Sequence, residues 1–329
     1  MSDPLVSVIT PVYNGGQFLE QCITSVLAQT HTNFEYLICN NHSTDGSAEI
    51  AEAYARKDSR IRVIKPPTFL PQVQNFNFAV RQMSPQAGYL KLVFADDWVF
   101  PEAFSRMVQV AERNPSVALV GAYRIIETSP FGFGLPVDRE VFTGREACRA
   151  QLFGTAYPFG NPSCVMYRAS AVRSRGDKFF PEDRTNFDLD IAMRLLRDAD
   201  LGFVHQVLTF LRFQPGSIMA TLSDFNHWFL SVYLAVKEYG PEYLTPGELE
   251  ARSSLATRDF YRGLAQAWLK ERLLRKRRPD YWAFQKKWIS TLGLDIEPKL
   301  LVRGVAQVAV ETLGSPYEVV GKLRRKLAK

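Results

Sequence analysis

The stretch Leu92–Phe100, LVFADDWVF, sets Asp96 and Asp97 side by side inside an otherwise apolar run. Neighbouring carboxylates repel, and drawing either one out of water is costly, so the pair gains nothing as packing. A divalent cation carrying a phosphorylated ligand would neutralise both. The competing reading is a helix N-cap, since Pro101 opens a helical pattern soon afterwards. A cap uses one acid, not two. A second acidic group, Asn186-Phe187-Asp188-Leu189-Asp190, stands ahead of a helical pattern that contains Arg194. There the competing role is favourable placement of acids at the positive end of a helix dipole. Polar turns at Tyr13–Gly16 and Asn40–Asp45, the amides Asn75 and Asn77, and LRFQPGS at Leu211–Ser217 complete the set of candidates.

These residues are spaced by elements that must hold them. Val6–Thr10 is a β-branched run, followed by helical spacing over Phe18–Gln29. Phe34–Cys39 reads as a second strand, and Ser47–Arg56 as an Ala-rich helix behind the turn residues Ser43–Gly46. Arg60–Ile64 reads as a third strand, Phe76–Met83 as a helix, and Tyr89–Phe94 as a fourth strand that ends at the carboxylates. Such alternation predicts a mostly parallel sheet flanked by helices, with ligands beyond the carboxyl ends of the strands. The Tyr13 turn, the Asn40 turn and Asp96-Asp97 all fall at those ends. Further on, the patterns predict a helix over 101–113, a strand over 117–126, a loop over 129–136 and a strand over 164–167. A helix over 191–197 and a strand over 204–212 follow. From about residue 224 the pattern is helical throughout, which divides the chain into 1–222 and a helical extension, 223–329.

Composition narrows the function. Hydrophobic content of 46% and charged content of 22% are those of a folded domain. The four cysteines make no C-x-x-C pair, which argues against a zinc site or disulfide framework and for a reducing compartment. There is no secretory pattern at the start and no apolar run of membrane-spanning length, so a cytoplasmic location is expected. The net charge of +6 is unevenly spread: residues 261–329 hold 16 basic and 6 acidic side chains, residues 1–260 hold 24 and 28. The basic stretch LKERLLRKRRPDYWAFQKKW, interleaved with Leu, Tyr and Trp, suits an amphipathic element on an anionic membrane surface, peripheral on its inner face. A solvated basic helix face is the alternative. Nucleic acid is not expected, since no recognition motif accompanies the charge.

In order and spacing, VSVITPVYNGGQFLEQCITSVLAQTHTNFEYLICNNHSTDGS, the Asn75/Asn77 helix, GYLKLVFADDW, FDLDIAMRLL and VLTFLRFQPGS resemble family 2 glycosyltransferases of the GT-A fold over roughly residues 5–220. The resemblance implies an inverting transfer of a sugar from a nucleoside diphosphate to an acceptor hydroxyl. It assigns Asp96 and Asp97 to Mn2+ or Mg2+ and to the donor diphosphate, with Phe94 standing where a strict D-x-D has its first acid. It places Pro11, Tyr13, Asn40 and Asn75 at the nucleotide and Arg212 at the phosphates. Gln214 takes the position of a His that serves as a metal ligand in relatives. Asp188, six residues before Arg194, takes the place of the general base, with Asp190 as the substitute. Asn40 replaces the usual Asp of the second turn, and an amide both donates and accepts, so UDP, dTDP and GDP donors all stay open. A saccharide or lipid-linked saccharide is the implied acceptor, in assembly of surface polysaccharide or another glycoconjugate. Two rivals are a nucleotidyltransferase and a non-catalytic nucleotide-sugar-binding protein. The first calls for basic residues after the glycines, and YNGGQFLEQ has none.

Overall fold

The computed structural model describes residues 3–213 and 218–314. It divides into two compact units, Met1–Gln214 and Pro215–Lys329.

In the first unit, β1 (Val6–Val12) is buried along its whole length. It lies between β2 (Phe34–Asn40) and β4 (Tyr89–Leu92), parallel to both, and β2 in turn pairs in parallel with β3 (Ile61–Ile64). A strand covered on both faces needs a largely apolar run, as β1 and β2 have. Helices α1 (Gly16–Leu27), α2 (Ser47–Ala55) and α3 (Gln72–Val80) make the crossovers. The buried face of α1 is Leu19, Cys22, Ile23 and Val26, at helical spacing.

Beyond β4 the chain reverses into β5 (Trp98–Val99) and then enters α4 (Ala103–Arg113). The carboxylates therefore lie on a turn, not on the strand: β4 stops at Leu92, and the Asp97 amide donates to the Phe94 carbonyl at 3.0 Å. The N-cap of α4 is Glu102. Neither Asp96 nor Asp97 caps that helix.

The remaining elements of the unit are β6 (Val117–Ile126), β7 (Ser129–Phe131), β8 (Val141–Phe142), α5 (Gly144–Phe153), a 3-10 turn at Pro162–Cys164, β9 (Met166–Arg168), α6 (Ala169–Arg173), α7 (Phe187–Leu195) and β10 (Asp200–Leu211). The sheet order is β3-β2-β1-β4-β9-β6-β10-β5, with β7 on β6 and β8 on β10. Strands β1, β2, β3, β4, β6 and β10 share one direction, and the short β5, β7, β8 and β9 oppose them. The segment expected as a loop over 129–136 thus contributes an edge strand, since its backbone pairs with Arg124–Ile126. Helix α7 begins four residues before the expected start, which puts Asp188 and Asp190 in its first turn.

The second unit is helical: α8 (Ile218–Asp224), α9 (His227–Tyr243), α10 (Pro246–Leu274), α11 (Pro279–Ser290) and α12 (Pro298–Gly314). Its core gathers Leu230, Tyr233, Phe260, Leu264, Tyr281 and Ile289. The 29-residue α10 opens on a Thr245–Glu248 capping box. No helix of the described residues is long and apolar enough to cross a membrane.

Candidate active site

The acid pair sits at the carboxyl edge of the sheet, held from three sides. Asp97 is buried; its Oδ1 accepts from the Arg212 backbone amide at 3.3 Å, and its Oδ2 lies 3.4 Å from Asn161 Nδ2. Half-buried Asp96 offers its carbonyl to Arg212 Nε at 3.3 Å. Burial, then repulsion from Asp96, pushes the Asp97 carboxyl up to about 7. Burial also raises Asp96, with Arg212 opposing the rise. Both shifts express the same stress, two anions short of solvent and of positive charge. Arg212 is fixed by Gln21 Oε1 at 2.6 Å and stacks over Phe18 and Trp98, at 4.1 and 5.3 Å from their centroids. Trp98 in turn stacks on Phe210 at 3.7 Å.

Beneath the pair lies a polar node that sequence reasoning missed. Ser163 Oγ accepts from the Phe94 amide at 2.9 Å, and the Ser163 side chain favours the charged form of Asp97. Its carbonyl accepts from Lys91 Nζ and from Thr209 Oγ1, the latter at 3.1 Å. Lys91 is wholly buried, donates also to the Val165 carbonyl at 3.1 Å, and is lowered by burial to about 8 against the opposing pull of Cys164 and Asp97. A lysine inside the GYLKL strand was the one available signal, because a buried ammonium needs carbonyl or anionic partners. Phe94, in place of a first acid, packs on Phe76 at 5.1 Å.

The turns beyond β1 and β2 knit together. Asn14, at φ 52°, accepts from the Thr44 amide at 2.9 Å and donates its own amide to Ser43 Oγ at 3.0 Å. Asp45 Oδ2 accepts from the Gly16 amide at 2.8 Å and its Oδ1 from Ser47 Oγ at 2.6 Å, so this acid holds the starts of α1 and α2. Asn40 is buried, with Oδ1 accepting from the Ser43 amide at 3.0 Å. Pro11 is in register with Cys39, whose thiol donates to Asn75 Oδ1 at 3.3 Å. Pro11, Asn40 and Asn75 are thereby brought to one strand end. Asn77 is committed elsewhere, bridging the Phe180 amide and carbonyl, both at 2.8 Å. Tyr13 is 55% exposed and meets Phe69 edge-on at 5.0 Å, an aromatic pair whose second member no sequence pattern marked. Asn41 positions that second loop by bonding both the amide and the carbonyl of Leu70, at 3.0 and 2.8 Å.

The two acids of α7 differ. Asp190 is buried and ion-paired with Arg194 at 2.8 Å, with Arg184 at 4.0 Å. Asp188 is half-buried, accepts from the Leu189 amide at 2.8 Å, and is pushed by burial up to about 6. Arg124 opposes that rise. Phe187 and Phe94 both pack on Phe76, at 5.6 and 5.1 Å, so a single ring separates the α7 segment from the acid-pair segment. Gln214 lies outside the described residues. His205 is bonded at both ring nitrogens, to Tyr123 and the Arg139 carbonyl, as a packed histidine should be. Among the described residues no three His, Cys, Asp or Glu side chains gather as a ready-made metal cluster.

Comparison with known proteins bears on the family and the fold. The family model "Glycosyl transferase family 2" matches residues 7–176, just over half of the chain. The chain is 39% identical over 112 residues to the uncharacterized glycosyltransferase EpsJ of Bacillus subtilis, covering 34% of this chain and 31% of that protein. Among solved structures, S. aureus TarS residues 1–349 with UDP-GlcNAc superposes with a TM-score of 0.57 at 17% identity, over 88% of this chain and 79% of that one. The mannosyltransferase PcManGT of Pyrobaculum calidifontis, with GDP-Man and Mn2+, superposes with a TM-score of 0.60 at 14% identity, over 98% and 84%. These likenesses carry the fold, a GT-A-like central sheet flanked by helices and followed by a helical region. The match over more than half of its length shows that the chain belongs to glycosyltransferase family 2.

Proposed function

We propose that the protein is an inverting glycosyltransferase that moves a sugar from a nucleoside diphosphate to an acceptor hydroxyl. The observation that carries this reading is the pairing of Asp96 and Asp97 with Arg212, two strained carboxylates and one stacked guanidinium at the carboxyl edge of the sheet. Anionic oxygens of a diphosphate suit the guanidinium, and hard oxygen donors suit a divalent cation. The structural neighbours bind UDP-GlcNAc or GDP-Man, the latter with Mn2+, which supports the same ligand class here.

Mn2+ or Mg2+ fits the residues present, because a dication offsets the burial and the repulsion from Asp96 that together lift Asp97. Asp96 and Asp97 would hold it, with Gln214 as the further ligand. When bound, the ion supplies charge stabilisation at the departing diphosphate. Tyr13 offers its ring to the base, with Pro11, Asn40 and Asn75 lining the neighbouring strand ends. Asp188 takes the acceptor proton as the hydroxyl attacks opposite the leaving group, and this single displacement inverts the anomeric carbon. Asp190 is already ion-paired with Arg194 and is the less available of the two acids for that reason.

The acceptor in this reading is a saccharide or lipid-linked saccharide used in surface polysaccharide or glycoconjugate assembly. The protein works in the cytoplasm, at the inner face of the membrane, contacting it through the basic region 261–329. Residues 1–222 form the transferase domain and 223–329 its helical extension.

Thermal shift with UDP-, dTDP- and GDP-sugars, each with and without Mn2+, tests the donor assignment. Stabilisation by one nucleotide class, deepened by Mn2+, is the expected result. Equal, metal-independent stabilisation by all three removes the assignment.

A further inference from the structure

The last turn of α10 sends its apolar residues outward. Leu273 and Leu274 are adjacent and are 81% and 63% exposed. Arg275 then takes a left-handed conformation at φ 51°, which non-glycine residues seldom adopt, and the chain turns into α11 at Pro279. This turn is fixed from within. Glu271 accepts from the Arg278 amide and from the Trp282 indole, the latter at 3.1 Å. Arg278 folds inward, with its guanidinium 5.0 Å from the Tyr281 ring centroid and Nη2 3.0 Å from the Asp224 carbonyl.

What remains outside is one-sided in charge. Arg272, Arg275, Lys276 and Arg277 are exposed around the two leucines, and Arg272 lies over Trp268 at 5.0 Å. The one acid within residues 270–279 is Glu271, which is occupied by the turn itself. The tip thus carries two exposed leucines, Trp268 under Arg272, and four exposed cations.

We propose that this α10–α11 turn, from Trp268 to Arg277, seats the protein on an anionic lipid surface. The proposal deepens the membrane-contact reading given above and rests on it. The leucines enter the boundary between headgroups and acyl chains, and the cations meet the anionic headgroups. Lasting attachment to a bilayer takes two signals, apolar insertion and charge, and this tip offers both within one turn. Phosphates of a nucleic acid would engage the cations and leave two leucines in water.

The full chain, mixed with phosphatidylcholine vesicles containing about one phosphatidylglycerol in three, should sediment with them and stay behind with pure phosphatidylcholine. Leu273→Glu combined with Leu274→Glu should lower vesicle affinity roughly tenfold or more at an unchanged melting temperature. Replacing Arg275, Lys276 and Arg277 by Gln should also weaken binding and flatten its salt dependence. If the full chain ignores anionic vesicles, both the membrane reading and this proposal fall. If it binds and the leucine variant binds equally well, the assignment of the turn falls and the membrane reading stands. Binding to a duplex oligonucleotide as tight as to vesicles, and indifferent to the leucines, would reassign the patch to phosphate and overturn the proposal. None of these outcomes depends on sugar transfer.

Discussion

The Arg212 amide donates to Asp97 Oδ1 at 3.3 Å, tying two residues 115 positions apart. The same arginine reaches the Asp96 carbonyl and Gln21 through its side chain. Backbone and guanidinium thus act separately: one aligns a carboxylate, and the other is stacked on Phe18 and Trp98.

Asp97→Asn keeps the shape and removes the charge. Turnover of the donor should fall by about 100-fold or more, the scale of losing one electrostatic stabiliser. Calorimetry should show that donor binding no longer gains from Mn2+. A variant that retains the Mn2+ gain would move the ion away from this pair.

Asp188→Asn and Asp190→Asn should separate chemistry from packing. The first should cut kcat by about 100- to 10,000-fold with the donor Kd held. The second breaks the 2.8 Å contact to Arg194 and should cost about 1–3 kcal/mol in denaturant melts, reduced because Arg194 is about a third exposed. A large kcat loss in Asp190→Asn with stability intact would exchange the two roles.

The pH profile follows from Asp188, held by burial at about 6. A base must be ionised, so kcat should rise through about pH 6 and level off above it. Stability runs the other way. A carboxyl raised in the fold stabilises it most at acid pH, below the ordinary carboxylate value, and that contribution disappears as pH rises through about 6. Asp188→Asn should remove the acidic limb of activity and this component of the stability profile together.

Ser163→Ala removes the acceptor that the Phe94 amide uses at 2.9 Å. An unsatisfied donor in this buried node should cost about 1–3 kcal/mol. Donor affinity should weaken with it, because Asp97 loses a polar neighbour that favours its charged form. Chemical denaturation and donor titration on the same preparation check both effects.

The fold is most legible in the sequence where the physics is local. Strands β1, β2 and β3 and helix α1 announce themselves by apolar runs and helical spacing, and Asp96-Asp97 stands out against its apolar flanks. Two-residue strands such as β5 and β8 have no period of their own and exist only through β10, which they meet across long sequence gaps. The 129–131 strand was hidden by Pro130, Gly132 and Gly134, residues that belong to loops unless an edge partner is present. Helix α5 is absent from the expected elements although its start is marked locally. Thr143-Gly144-Arg145-Glu146 is a capping-box pattern, and the structure forms that box. At the site, Asn161 and Ser163 gave no sign, because their meaning arises only when residue 97 folds against them.

The antiparallel β9 is wedged between β4 and β6, although it follows both in the chain. A nascent polypeptide can therefore form its first four strands and still leave the acidic turn without Asn161, Ser163 or Arg212. Closure awaits the arrival of β9 and β10, a late, long-distance event of the kind that slows folding. A fragment ending before residue 160 would hold the carboxylates without Asn161, Ser163 or Arg212, so the donor capture proposed for this turn requires the completed sheet and not its amino-terminal half alone.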